Sequence, residues 1–65
     1  MPSTAIEWAQ WKDNVLSVKY RGGDRYDYLD VPEQVYREYR ATTSKGQFIN
    51  FVVKPKYRFR KHTHH

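Results

Sequence analysis

Cysteine is absent from this chain of 65 residues. That excludes disulfide staples and thiolate metal sites, and it leaves the redox compartment open. No apolar run is long enough to cross a bilayer. The opening stretch "MPSTAIEW" lacks the basic and apolar regions of a secretory signal. The expectation is therefore a cytoplasmic protein. Glycine and proline are scarce, three of each, so each one marks a break between elements. The most uneven absence is of acid: residues 39–65 contain no aspartate or glutamate.

So short a chain forms one domain and buries only about 60% of its unfolded surface. A core of that size leaves roughly 3–5 kcal/mol of net stability. What is present in place of staples is aromatic: two Trp, six Tyr and three Phe. Each ring hides about 150–250 Å² when fully packed. An aromatic core is therefore expected, and not a disordered chain.

The net charge of +5 is unevenly placed. Residues 1–38 hold five basic and seven acidic residues, a balance of −2. Residues 39–65 hold Arg40, Lys45, Lys54, Lys56, Arg58, Arg60 and Lys61 with nothing to offset them. One-sided charge of this kind points to an anionic partner. Nucleic acid comes first, and an acidic protein or lipid surface follows. The plainer reading is a basic tail that aids solubility.

Periodicity organises the chain. "AIEWAQW" (5–11) suits a strand but alternates irregularly, with Ala5, Glu7, Ala9 and Trp11 on one face and Ile6 and Trp8 on the other. "KDN" (12–14) is a turn. "VLSVKY" (15–20) puts Leu16, Val18 and Tyr20 on one face, the signature of a half-buried strand. "RGGD" (21–24) is a tight turn. "RYDYL" (25–29) then shows Tyr26 and Tyr28 on one face. These three strands make an antiparallel meander.

"DVPEQVYREYRAT" (30–42) changes to a helical period, with Val35, Tyr36 and Tyr39 on the inward face. Two starts compete: Asp30 as N-cap with Glu33 in a capping box, or Val31 as N-cap with Pro32 in the first turn. Glu33 and Arg37 have the spacing of an exposed ion pair. Ser44 and Gln47 offer a second capping box before "QFINFVV" (47–53), whose β-branched residues also suit a strand; the cap and Pro55 favour a short helix with Phe48, Phe51 and Val52 inward. Pro55 ends it at or before Lys54. "KPKYRFRK" (54–61) alternates as a last strand, with Tyr57 and Phe59 inward and Lys56, Arg58 and Arg60 outward. "HTHH" (62–65) reads as a frayed tail. The expected fold is α+β: a three-stranded antiparallel meander, a helix, a second short helix and a final basic strand, over residues 3–61.

Little in this pattern suits an enzyme. All three histidines lie in the last four residues, where nothing positions an imidazole as a base. Flexible imidazoles without supporting hydrogen bonds also make a poor metal site. Asp24, Asp27 and Asp30 recur every three residues, so on a strand they alternate faces and do not converge. The glycine pair 22–23 has no Lys-Ser/Thr after it and opens a strand, so it is no phosphate loop. No cofactor and no metal are expected.

The basic stretch remains. Alternate strand residues lie about 6.6–6.8 Å apart, so Lys56, Arg58 and Arg60 would form a cationic row, with Lys45, Lys54 and Lys61 in support. Such a row tracks a phosphate backbone. It equally suits an edge strand that repels its own kind. Tyr26 and Tyr28 are candidates for base stacking or for the core, and the scarcity of other large apolar groups favours the core.

The ordered pattern resembles the KTSC domain family. It runs from Ser3 and an apolar strand ending at Trp11, through Leu16-x-Val18-x-Tyr20, a glycine at 22 or 23, and Tyr26-x-Tyr28. It continues with Val31-Pro32, Tyr36, then Ser44-x-Gly46-x-Phe48-x-Asn50, and closes with Tyr57. Gln10-Trp11 stands where the family tends to have Gly-Tyr. The family is named for a domain at the C-terminus of some lysyl-tRNA synthetases, and also occurs as small stand-alone proteins. The resemblance implies a binding module more than an enzyme, with RNA as the suggested partner. The alternative is a small interaction module that docks an acidic protein or pairs through a strand edge.

Overall fold

The computed structural model describes residues 6–62. Strand β1 spans Ile6–Lys12, β2 Val15–Tyr20 and β3 Arg25–Tyr28. Helix α1 spans Glu33–Ala41 and α2 Lys45–Phe48, and a π-helical segment, Ile49–Val53, continues α2. Strand β4, Phe59–His62, completes a four-stranded antiparallel sheet in the order β1-β2-β3-β4. The α+β expectation of meander, two helical pieces and a last strand is met. Ser3 and Ala5 at the expected start, and residues 63–65 of the tail, lie outside the described residues.

The hairpins follow from local chemistry. Asp13 and Asn14 form a two-residue connection with φ of 51° and 65°, which suits the right-handed twist of the flanking strands. At the next turn Gly23 N–H donates to the Tyr20 carbonyl at 3.1 Å. Gly22 between them sits at φ 71°, a conformation glycine adopts without steric cost.

Strand β1 departs from the expected alternation. Its register with β2 shifts between Ile6 and Trp8, where the strand bulges. A bulge adds one unpaired residue and reverses the facing of what precedes it. Ile6 therefore packs toward the core with Ala9 and Trp11, while Trp8 lies on the other face.

The helices pack on one face of the sheet. Leu16, Val18, Tyr28, Val31, Ile49 and Val53 are fully buried there, and Tyr39 nearly so. Val35, Tyr36 and Phe48 pack around them, as the helical period required. The Glu33–Arg37 pair forms at 3.8 Å.

Neither expected start of α1 is used. Asp30 has φ 57°, whereas an N-cap needs extended backbone. Val31 is drawn into the core, its N–H donating to the Asn14 carbonyl at 2.8 Å. Pro32 itself occupies the cap position, extended and without a side-chain hydrogen bond. Ser44 does cap α2, but its side chain makes no capping bond.

The second helical piece also differs in its facing. Its last turns widen, with Lys54 N–H donating to the Ile49 carbonyl at 2.8 Å, a bond five residues long. Ile49 and Val53 take the inward positions with Phe48, and Phe51 is left 75% exposed.

Candidate functional site

Strand β4 is shorter than its alternation suggested. Residues 54–57 form turns after the π segment, with Lys56 and Tyr57 N–H both donating to the Val53 carbonyl. Lys54 and Lys56 therefore stand on a turn and not on the strand. Arg58 lies at the strand's entrance, where its carbonyl accepts from Leu29 N–H at 2.8 Å. Only Arg60 and Lys61 of the cationic set are in β4, and neighbours on a strand face opposite ways. The expected row of Lys56, Arg58 and Arg60 along one strand is not formed.

What the fold does assemble is a cationic edge. Strand β4 lies at the end of the sheet, and all four of its residues are exposed. Lys54, Lys56, Arg58 and Arg60 are exposed too. Among the described residues, the acids that form ion pairs engage Lys19, Arg25, Arg37, Lys61 and His62. None reaches those four cations. Lys45 does not join them: its ammonium donates to the Thr42 carbonyl at 2.7 Å and lies 5.6 Å from the Tyr39 ring.

The two faces of β4 are held differently. On the helix side, Phe59 packs on Tyr26 and Tyr28, with ring centroids 5.4 Å and 5.9 Å away. Lys61 pairs with Asp24 at 3.2 Å, which raises the lysine pKa above its ordinary value. On the open side His62 Nε2 meets Asp27 Oδ2 at 2.6 Å. His62, expected in a frayed tail, is thus the last residue of the sheet. Arg25 donates to the other Asp27 oxygen at 3.0 Å and reaches Ser17 Oγ at 3.4 Å. Burial acts to raise the Asp27 pKa. Hydrogen bonds from Ser17, Arg25 and His62, with the Arg25 charge, outweigh it and hold the carboxyl below the ordinary aspartate range.

The tyrosine pair divides. Tyr28 is fully buried in the core, and burial, with its Tyr20 hydroxyl neighbour at 3.4 Å, raises its pKa. Tyr26 is half-buried and sits between Tyr20 and Phe59. Sequence reasoning missed the grouping of Tyr20, Tyr26 and Phe59, although the signal was present. All three belong to the inward parity of strands that turned out to be neighbours. It also missed the Ser17–Arg25–Asp27–His62 network, because spacing groups Asp27 only with Asp24 and Asp30, and its partners Ser17 and His62 come from β2 and β4.

Comparison with known proteins bears on this fold. The model of the KTSC domain matches residues 2–57. This chain belongs to the KTSC domain family. The match ends before β4 begins. A KTSC domain protein from Yersinia pestis, known from its crystal structure, is 31% identical, with a TM-score of 0.84 over 97% of this chain and 94% of that one. A protein of Tsukamurella paurometabola is 38% identical over 58 residues, 86% of this chain and 87% of its own length. The family model spans the meander and both helical pieces, and the likeness to the Yersinia pestis structure extends over nearly the whole chain. Among the described residues no helix is long and apolar enough to cross a membrane, and no three metal-ligating side chains cluster.

Proposed function

We propose that this domain binds nucleic acid through the cationic edge, with Lys54, Lys56, Arg58 and Arg60 contacting phosphates and Lys61 beside them. The observation that carries this reading is that, among the described residues, no acid pairs with four exposed cations that lie within seven residues. Cations that satisfy no internal partner are free to release counterions from a polyanion. RNA is preferred to DNA because the resemblance drawn above ties the domain to some lysyl-tRNA synthetases. Self-pairing through β4 is disfavoured: two copies would set Arg60 and Lys61 against their own kind.

The test is fluorescence anisotropy of a labelled RNA at several salt concentrations. Four phosphate contacts to a single strand give a slope of about −2.8 in log K against log salt. Affinity then falls roughly 50-fold between 50 and 200 mM salt. A variant with Lys54, Lys56, Arg58 and Arg60 all changed to Gln should lose most of that slope. No binding by the folded protein at low salt would refute the reading. So would displacement of the RNA by an acidic peptide that binds equally well to the Gln variant.

A further inference from the structure

Burial on the helix-covered face of the sheet falls away toward the β2–β3 turn. Leu16 and Val18 of β2 are fully buried, but Tyr20 is only half-buried. On β3 the same holds for Tyr28 and then Tyr26. On β4, the edge strand, Phe59 stands opposite Tyr28 and is still 51% exposed. The helical layer leaves the turn end and this edge less covered, and a cleft lined by Tyr20, Gly23, Asp24, Tyr26, Lys54 and Phe59 remains.

The walls of the cleft are three rings from three adjacent strands. Tyr26 meets Tyr20 edge to face at 5.5 Å and 78°, and meets Phe59 edge to face at 5.4 Å and 71°. Phe59 also meets Tyr28 at 5.9 Å, yet it remains 51% exposed, so part of its ring surface is open to a further aromatic partner. Lys54, from the turn after the π segment, also lines it, exposed and with no acid partner among the described residues. Asp24 completes the lining, with Lys61 bound to it.

We propose that this cleft takes one unpaired nucleobase, stacked on Phe59 against Tyr26, with Lys54 on the adjoining phosphate, so that the domain distinguishes single strands from duplexes. The inference rests on the nucleic-acid reading above and adds to it a reason for strand preference. A base inside a duplex has both faces stacked and cannot enter, whereas an unpaired base offers a free π-face to an aromatic side chain. Aromatic walls also suit an alkylammonium ion, but the cleft's one carboxylate, Asp24, is already paired with Lys61, and Lys54 in the lining repels a cation and attracts the phosphate that accompanies a base.

The experiment compares a labelled ten-nucleotide RNA with its own duplex, using wild type and Phe59→Leu, which keeps an apolar side chain but has no ring face. Single strand should bind wild type about tenfold more tightly than duplex. Phe59→Leu should lose about 5–10-fold on the single strand and nothing on the duplex. Equal binding of both forms, or an unchanged Phe59→Leu, would overturn the cleft. Salt-dependent binding that disappears in the Gln variant would still leave the phosphate edge standing. Binding of neither form would remove both. Should Phe59→Leu fail to fold, NMR of wild type with adenosine 5′-monophosphate decides. Upfield movement of the Phe59 and Tyr26 ring signals supports the cleft, and unmoved rings refute it.

Discussion

Replacing Tyr28 by alanine should bring the domain to the edge of unfolding, while the same change at Tyr26 should not. Tyr28 has no exposed surface; it stands opposite Leu16 on β2 in the same core cluster, and its ring packs on Phe59 of β4. A fully buried ring hides about 150–250 Å², worth about 4–6 kcal/mol at about 25 cal/mol per Å². Residual compactness of the unfolded chain trims such figures by about 10–40%. The remaining loss, about 3–5 kcal/mol, agrees with measured aromatic-to-alanine costs and matches the whole stability expected of so small a domain. Tyr26 is half-buried, so its loss should be about half as large, about 1.5–2.5 kcal/mol. Tyr28→Phe removes only a hydroxyl whose partner is 3.4 Å away, long for such a bond. It should cost about 0.5 kcal/mol and lower Tm by about 2–4 °C. Urea titrations followed by tryptophan fluorescence and far-ultraviolet circular dichroism would measure all three. A Tyr28→Ala protein with a near wild-type midpoint would refute the burial argument, as would a Tyr26→Ala protein equally destabilised.

Two further outcomes follow from polar contacts. The Asp27 carboxyl is held below its ordinary range in the folded state, so its contribution is complete above the unfolded aspartate value and is lost as pH falls below about 4. Asp27→Asn should cost about 1–2 kcal/mol at pH 7 and flatten the acid limb of a stability–pH curve; a limb as steep as wild type would show that other carboxyls set it. Trp11 donates from Nε1 to the Val31 carbonyl at 2.7 Å, tying β1 to the lead-in of α1. Trp11→Phe strands that carbonyl and should cost about 1–2 kcal/mol, read as a fall in the urea midpoint.

Much of this fold is legible in the sequence because its elements have clean periods. Leu16, Val18 and Tyr20, then Tyr26 and Tyr28, alternate without interruption, and their faces are as expected. Val35, Tyr36 and Tyr39 likewise declare the inward stripe of α1. The errors arise where one residue is added to a regular repeat. The bulge at Ile6–Trp8 reverses the facing of Ile6, and no local residue preference announces it. The π segment buries Ile49 and Val53, a four-residue spacing that an ordinary helix also buries. Five residues of sequence cannot separate the two, and an ordinary helix would turn Phe51 inward. Lys54 and Lys56 continued the alternation of Arg58 and Arg60 in the chain, but the widened helix runs to Val53 and the turn after it takes them off the strand. The cleft was illegible for another reason: Tyr20, Tyr26 and Phe59 become neighbours only once three strands are paired.

The position of β4 has a kinetic consequence. The hairpins β1–β2 and β2–β3 close over a few residues each, but β4 joins β3 only after the whole helical region between them has been traversed. Loop-closure entropy grows with that separation, and contacts distant in sequence tend to form late in folding. With all four residues exposed, β4 also has little apolar burial to resist local opening. The meander can assemble and accept the helices first, leaving the cationic strand to dock last and to detach most readily. A polyanion bound along β4 and the adjoining turn would then act on the least committed part of the native ensemble, so that recognition and completion of the sheet become a single event.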